Sequence, residues 1–203
     1  MSTAEMSTPN KHSTTFMIRL EKFEKADFNQ LINWINSEAL LKNWAGDLFR
    51  FPLTEESLDW YIEDTNEPGV SDAFVYKAVD TISGEVVGHI SLGGMSYKNS
   101  SGRISRVFVD SVNHSGKGIC QQMIKAVLKI GFEELNLHRV SLGVYDDNPQ
   151  AINCYQKSGF KTEGISRDIM WYNEKWRSMI EMGMLESEWR AMVDSVDKVT
   201  KVG

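Results

Sequence analysis

An α/β fold with a mixed sheet is the architecture this sequence predicts, and three observations predict it. Apolar residues recur with a helical period between residues 27 and 61, then with a strand-like period from residue 73. Strands first come as a run, then alternate with helices between 103 and 185, the order of a sheet with helices packed on it. No apolar run approaches the ~20 residues of a membrane-spanning helix, so the apolar residues are free to build a core.

Each element has a local reason. Residues 1–14, MSTAEMSTPNKHST, are polar and read as a flexible tail. FMIRLEKF (16–23) alternates as a first strand. Asp27 is placed to cap a helix carrying Phe28, Leu31, Ile32 and Ile35 on one face. A second short helix carries Leu40, Leu41 and Trp44. Thr54 opens a third through Tyr61, with Glu55 and Glu56 in its first turn. AFVYKAV (73–79), EVVGHISL (85–92) and RISRVFVD (103–110) read as strands parted by turns at Ser83-Gly84 and at 98–102. Ser115–Leu135 reads as one long helix, on the steps of Ile119, Met123, Val127 and Ile130. HRVSLGVY (138–145) is the next strand. Asn148-Pro149 opens a helix that Gly159 closes. Segments 159–164 and 178–185 are the last strands, making about seven.

Composition removes several classes of function. The 203 residues carry 22 basic and 28 acidic groups, a net charge of -6, which speaks against a general nucleic-acid binder. The start of the chain lacks the basic and apolar stretches of a secretory signal. Cys120 and Cys154 make neither a C-x-x-C pair nor a scaffold pattern and read as two buried thiols in a reducing cytoplasm. The histidines at 12, 89, 114 and 138 share no zinc-ligand spacing, so no metal is expected.

Two segments carry chemistry. In RVFVDSVNHSGKGIC (106–120) a strand runs through a loop into a helix start, where free amide N–H groups, Gly116, Gly118 and Lys117 suit a phosphate. The dinucleotide fingerprint fails at Gln121, and no G-K-[ST] ending follows, so neither nucleotide motif is present. A tight turn is the plain alternative. In VYDDNPQAINCYQKSGF (144–160) Asn148 ends a strand and caps a helix. Tyr155, two turns on, projects from about the same side, with small Ala151 between. An ordinary cap and a core tyrosine are the alternatives there.

Together these segments resemble the GNAT superfamily of acyl-CoA N-acyltransferases, over residues 16–188. The family's loop pattern [RQ]-x-x-G-x-[GA] falls on Ser115, Gly116, Lys117, Gly118, Ile119 and Cys120, with Ser115 and Cys120 departing from it. The later pattern N-x-x-A-x-x-x-Y-x-x-x-G-F is matched at Asn148, Ala151, Tyr155, Gly159 and Phe160. The ending GISRDIMWYNEKWRSMIEMGML is similar to the RimJ/RimL-like, ribosomal-protein acetyltransferase branch. The resemblance implies a mostly antiparallel sheet in a domain over 15–190, with 191–203 a C-terminal helix or frayed tail.

It also implies chemistry: transfer of an acetyl group from acetyl-CoA to a primary amine by direct attack. Main-chain groups of Val107, Phe108 and Val109 would meet the pantetheine arm and thioester. Residues 115–120 would hold the pyrophosphate and Asn148 the cofactor arm. Tyr155 would protonate the leaving thiolate, since a phenol stays protonated at pH 7. The glutamate that a related branch carries in its L-E-V phrase is absent here, where Gly143 stands. His89 and Asp110 are the replacement bases to weigh, against a sheet histidine and a loop carboxylate of no special role. Glu38, Asp47, Glu55, Glu56 and Asp59 would favour a cationic acceptor if they line a groove, and otherwise form a solvated face. The expected partner is a small-molecule or peptide amine, with no nucleic acid and no membrane, and a homodimer is left open. A non-catalytic acyl-CoA sensor of the same fold is the alternative function.

Overall fold

The computed structural model describes residues 18–114 and 118–200. Among them seven strands form one sheet: β1 (Ile18–Lys22), β2 (Phe74–Asp80), β3 (Val86–Ser96), β4 (Ser101–Val109), β5 (Arg139–Tyr145), β6 (Lys161–Tyr172) and β7 (Lys175–Leu185). Their order is β1-β2-β3-β4-β5-β7-β6. Neighbours are antiparallel except β4 and β5, which are parallel.

Helices cover both faces. On one lie α1 (Phe28–Trp34), α2 (Glu38–Ala45) and α3 (Glu55–Ile62), whose Phe28, Leu31, Leu41, Trp44 and Leu58 are buried with Val75 of β2. On the other lie α5 (Ile119–Lys129), α6 (Pro149–Lys157) and α7 (Glu186–Thr200), packed on Ile90, Leu92, Ile104, Val140 and Leu142. A short α4 (Ser111–His114) follows β4. No helix among the described residues is long and apolar enough to cross a membrane.

Five features of the fold differ from what the sequence predicts. Asp27 does not cap α1; its carboxylate accepts from Glu24 N at 2.9 Å and from Lys77 Nζ at 2.8 Å, closing a 3₁₀ turn ahead of the helix. The helix expected over 115–135 runs as α5 and then widens into a π turn at Ile130–Glu134. Gly131 lies in that turn, where an added Cβ would stand 3.3 Å from Val140 Cγ2, so the helix leans directly on β5. Strands β6 and β7 are longer than read, because Asn173 and Glu174, both at positive φ, turn them into a hairpin without the usual Asn-Gly signal. Helix α7 begins at Glu186 rather than 191. Trp189 stacks on Phe132 at 6.0 Å and donates to Glu133 Oε1 at 3.0 Å, which docks the helix.

The fifth correction concerns the cysteines. Cys120, in the first turn of α5, and Cys154, in α6, are joined as a disulfide. They lie 34 residues apart, so spacing gives no pairing signal; the meeting of two helices on one sheet face brings their Cα atoms to 6.3 Å. Closing a loop of this length restricts the unfolded chain. The oxidised protein is expected to be roughly 2–4 kcal/mol more stable than the same chain under reductant. Urea unfolding with and without dithiothreitol measures this, and coincident midpoints would count against it.

Candidate active site

The parallel ladder between β4 and β5 pairs Ser101–Ile104 with Arg139–Leu142 and stops there. Beyond it, β4 continues on β3 and β5 continues on β7, and the two part. A slot of about 240 Å³ opens between them, lined by Val107, Leu142, Val144, Asn148, Ala151 and Tyr155, with Trp44, Arg106, Tyr145 and Met179. A bulge in β4 sets the divergence: His89 pairs with Phe108 and Ser91 with Ser105, so Arg106 and Val107 face Ile90 alone. Arg106 takes a left-handed conformation, φ 52°. Its carbonyl accepts from Trp44 Nε1 at 2.9 Å and faces His89 Nδ1 at 3.0 Å.

The structure brings three of the sequence-predicted site residues to this slot: Val107, Asn148 and Tyr155. Asn148 Oδ1 accepts from Ala151 N at 3.1 Å, and Pro149 follows at the first helical position, which fixes the start of α6. Tyr155 is 6% exposed, and its hydroxyl makes no hydrogen bond to a described residue. Burial pushes its phenol up to about 12. Phe108 and Val109 are not among the slot's walls. Phe108 stacks on Trp34 at 5.2 Å, and Val109 pairs with Gly88, although the β4 edge they share has no ladder to β5. Ser115, Gly116 and Lys117 lie outside the described residues. Gly118 is the left-handed N-cap of α5, φ 67°, which favours glycine there. Ile119 turns its side chain into the core and Cys120 is tied to Cys154.

A Cβ at Gly143 would run into Arg103 Nη2 and Met179 Sδ. Arg103 pairs at 2.9 Å with Glu181, which stands directly opposite Gly143 on β7. Neither replacement base lines the slot. Asp110 is buried and accepts from Asn113 Nδ2 at 2.8 Å. His89 is 1% exposed, ringed by Phe23, Trp44 and Tyr61, and burial lowers it to about 4. The neutral ring therefore donates Nδ1–H to the Arg106 carbonyl.

A second cavity, of about 880 Å³, adjoins the slot through Arg106, which lines both. Its walls include Tyr61, Trp60 and the carboxylates Glu63, Asp64, Glu67 and Asp72. The five carboxylates singled out from the sequence line neither cavity; Asp59 pairs with Lys25 and Asp47 with Lys42. The acidic wall lies one bend later, in EDTNEPGVSD (63–72), whose density of acids around Pro-Gly was the available signal. Nothing in the sequence pointed to Arg106 or Tyr61.

A profile of the acetyltransferase (GNAT) domain matches residues 20–180. The chain belongs to the GNAT acetyltransferases. It is an acetyl-CoA-dependent N-acetyltransferase acting on an amine, rather than a cofactor sensor. Curated relatives include spermidine N(1)-acetyltransferases of Vibrio cholerae, 25% identical over 85% of this chain and 95% of that one, and of Escherichia coli K12, 24% identical over 90% and 91%. A crystal structure of spermidine N-acetyltransferase from Vibrio cholerae in complex with CoA and spermine has the same fold, with a TM-score of 0.72 at 22% identity over 85% of this chain and 98% of that one. These relatives do not single out the RimJ/RimL-like branch. Among the described residues of this acetyltransferase no cluster of three or more acidic, histidine or cysteine side chains could hold a metal ion.

His89 gives the acetyltransferase a pH signature. Its folded value of about 4 lies below the ordinary 6.5, so between those limits the unfolded chain binds a proton that the folded chain does not. This contribution is fully present above pH 6.5 and is lost as pH falls towards 4, at up to about 1.4 kcal/mol per unit. His89→Gln should flatten that part of the curve in urea titrations at pH 7, 6 and 5. A variant that keeps the wild-type slope would place the titration elsewhere.

Proposed function

We propose that the acceptor is a polyamine, entering through the acidic cavity with its leading nitrogen at the slot. The observation that carries this reading is the shared wall at Arg106, which joins a carboxylate-lined cavity to the divergence of β4 and β5. Tyr61, whose buried Oη has no hydrogen-bond partner among the described residues, lines the same cavity and offers a further polar group. The naming of the Vibrio cholerae and Escherichia coli relatives as spermidine acetyltransferases supports it. A protein N-terminus presents a single α-ammonium, whereas a polyamine brings further ammonium groups for the carboxylates Glu63, Asp64, Glu67 and Asp72. Exposed Ile165, Ile169, Trp171 and Trp176 on the β6–β7 hairpin favour pairing with a second copy of the chain.

The fit of acetyl-CoA to this chain rests on the slot itself, with an unladdered β4 edge on one side and Asn148 and Tyr155 on the other, and on the glycine-capped start of α5, whose free amides suit the pyrophosphate. In the transfer, the lone pair of a neutral amine attacks the thioester carbonyl carbon. The C–S bond breaks with its electron pair on sulfur. Tyr155 gives its proton to that sulfur and recovers one from solvent, and the new amide nitrogen releases its surplus proton to water. A phenol raised by burial stays protonated over the whole working range, as a donor must.

Two measurements test this reading. Tyr155→Phe keeps ring and packing and should retain CoA affinity while lowering turnover by roughly 10²–10⁴-fold; wild-type turnover would remove Tyr155 from the acid role. Neutralising the acidic wall with Glu67→Gln and Asp72→Asn should lower kcat/KM for spermidine by up to about tenfold at low salt, with little effect on an amine lacking a second charge. Equal effects on both acceptors, read by release of CoA thiol, would return the wall to a solvated surface.

A further inference from the structure

Among the described residues, Arg106 is the one cation that lines both cavities, and its side chain is held there without a paired counter-charge. Among the described residues no carboxylate pairs with it. Its guanidinium stands 4.9 Å from the centre of the Tyr61 ring and donates through Nη1 to Ser105 Oγ at 2.8 Å and to Ser91 Oγ at 3.3 Å. Its Nε is buried with no partner among the described residues. A cation in such a place costs desolvation that two serines and a ring face only partly offset, and its backbone sits in a left-handed conformation that an arginine rarely takes. These costs converge at the residue that the acidic cavity and the slot share.

We propose that Arg106 sets the protonation state of the acceptor: its charge repels an ammonium at the junction of the two cavities, so that the leading nitrogen of a bound amine stands there unprotonated. This deepens the polyamine reading and rests on it for the direction of entry. The ammonium loses its proton to water before attack, and no side chain need take it, which answers the absence of a carboxylate at Gly143 and of a base at His89. The trailing nitrogens keep their charge against Glu63, Asp64, Glu67 and Asp72. A diamine or polyamine is thereby preferred to a monoamine, which has no second charge to hold in the acidic cavity.

The charged and titratable groups facing the junction are Tyr61 from α3, the four carboxylates from the loop after it, His89 from β3, Arg103 from β4, Tyr145 from β5 and Tyr155 from α6. His89 titrates near 4 and Tyr61 and Tyr155 near 12, so the bound amine is what an alkaline limb between pH 7 and 10 reports. The experiment compares kcat and kcat/KM for spermidine from pH 6.5 to 10.5 in the wild type and Arg106→Gln, with CoA affinity and melting temperature measured alongside. The limb in kcat, which reports the bound amine, should move up by roughly one to two units in Arg106→Gln, with the two enzymes converging at high pH. The limb in kcat/KM, which reports free amine, should stay. Arg106→Lys should restore the wild-type limb. A kcat profile lowered by a constant factor at every pH would mean that Arg106 only supports the bulge, and would overturn the proposal. Arg106→Met carries the comparison if the glutamine variant is unstable, and failure of both to fold would overturn it too. A wild type that ignores polyamines would refute the acceptor reading alone, since the same limb is then read with whichever primary amine it accepts.

Discussion

The structure of the site depends on the carbonyl oxygen of Arg106. It takes a hydrogen from Trp44 of α2 and one from His89 of β3, and so fixes the bulge in β4 from two directions. With Arg106 and Val107 crowded opposite Ile90, β4 bends away from β5 once Ile104 has passed, and the sheet splits. A sheet interior that would otherwise bury a continuous ladder then offers an open edge and a slot. The neutral state of His89 is part of this constraint. The ring can donate to the carbonyl with no formal charge in an apolar surround of Phe23, Trp44 and Tyr61.

The two faces of the sheet supply different halves of the site. On one, α6 brings Tyr155 to the slot, and the Cys120–Cys154 bond ties α6 to the first turn of α5. Their relative position is thus held covalently as well as by Ile119, Met123 and Tyr155 in the core. On the other face, α2 and α3 contribute Trp44, Tyr61 and the acidic loop. The two halves are coupled through β4, so a change in packing beneath α2 reaches the slot through one strand.

Much of the fold was legible in the sequence. The seven strands, the helices from Phe28 to Ile62 and the Asn148-Pro149 helix start follow from period and capping residues that act over a few neighbours. The misreadings share a cause. Asp27 looked like a cap, but Lys77, 50 residues away, recruits its carboxylate. The 115–135 helix looked uniform, but contact with β5 at Gly131 changes its winding. The β6–β7 hairpin turns at Asn173 and Glu174, where pairing across the strands imposes a conformation that those residues do not advertise.

The sequence by itself determined the class of chain: the order of strands and helices and the Asn148 to Phe160 pattern that marks the acetyltransferase family. Those signals survive in one dimension because each is made by residues within two or three turns of one another. Tertiary structure alone decided that Cys120 meets Cys154, that Gly143 is filled by Arg103 and Met179, and that His89 is a buried donor rather than a base. It also decided that Arg106, with no carboxylate partner among the described residues, stands between the acidic cavity and the slot. Each of these is a meeting of residues from different strands and helices, and spacing along the chain carries no record of distance across a folded sheet.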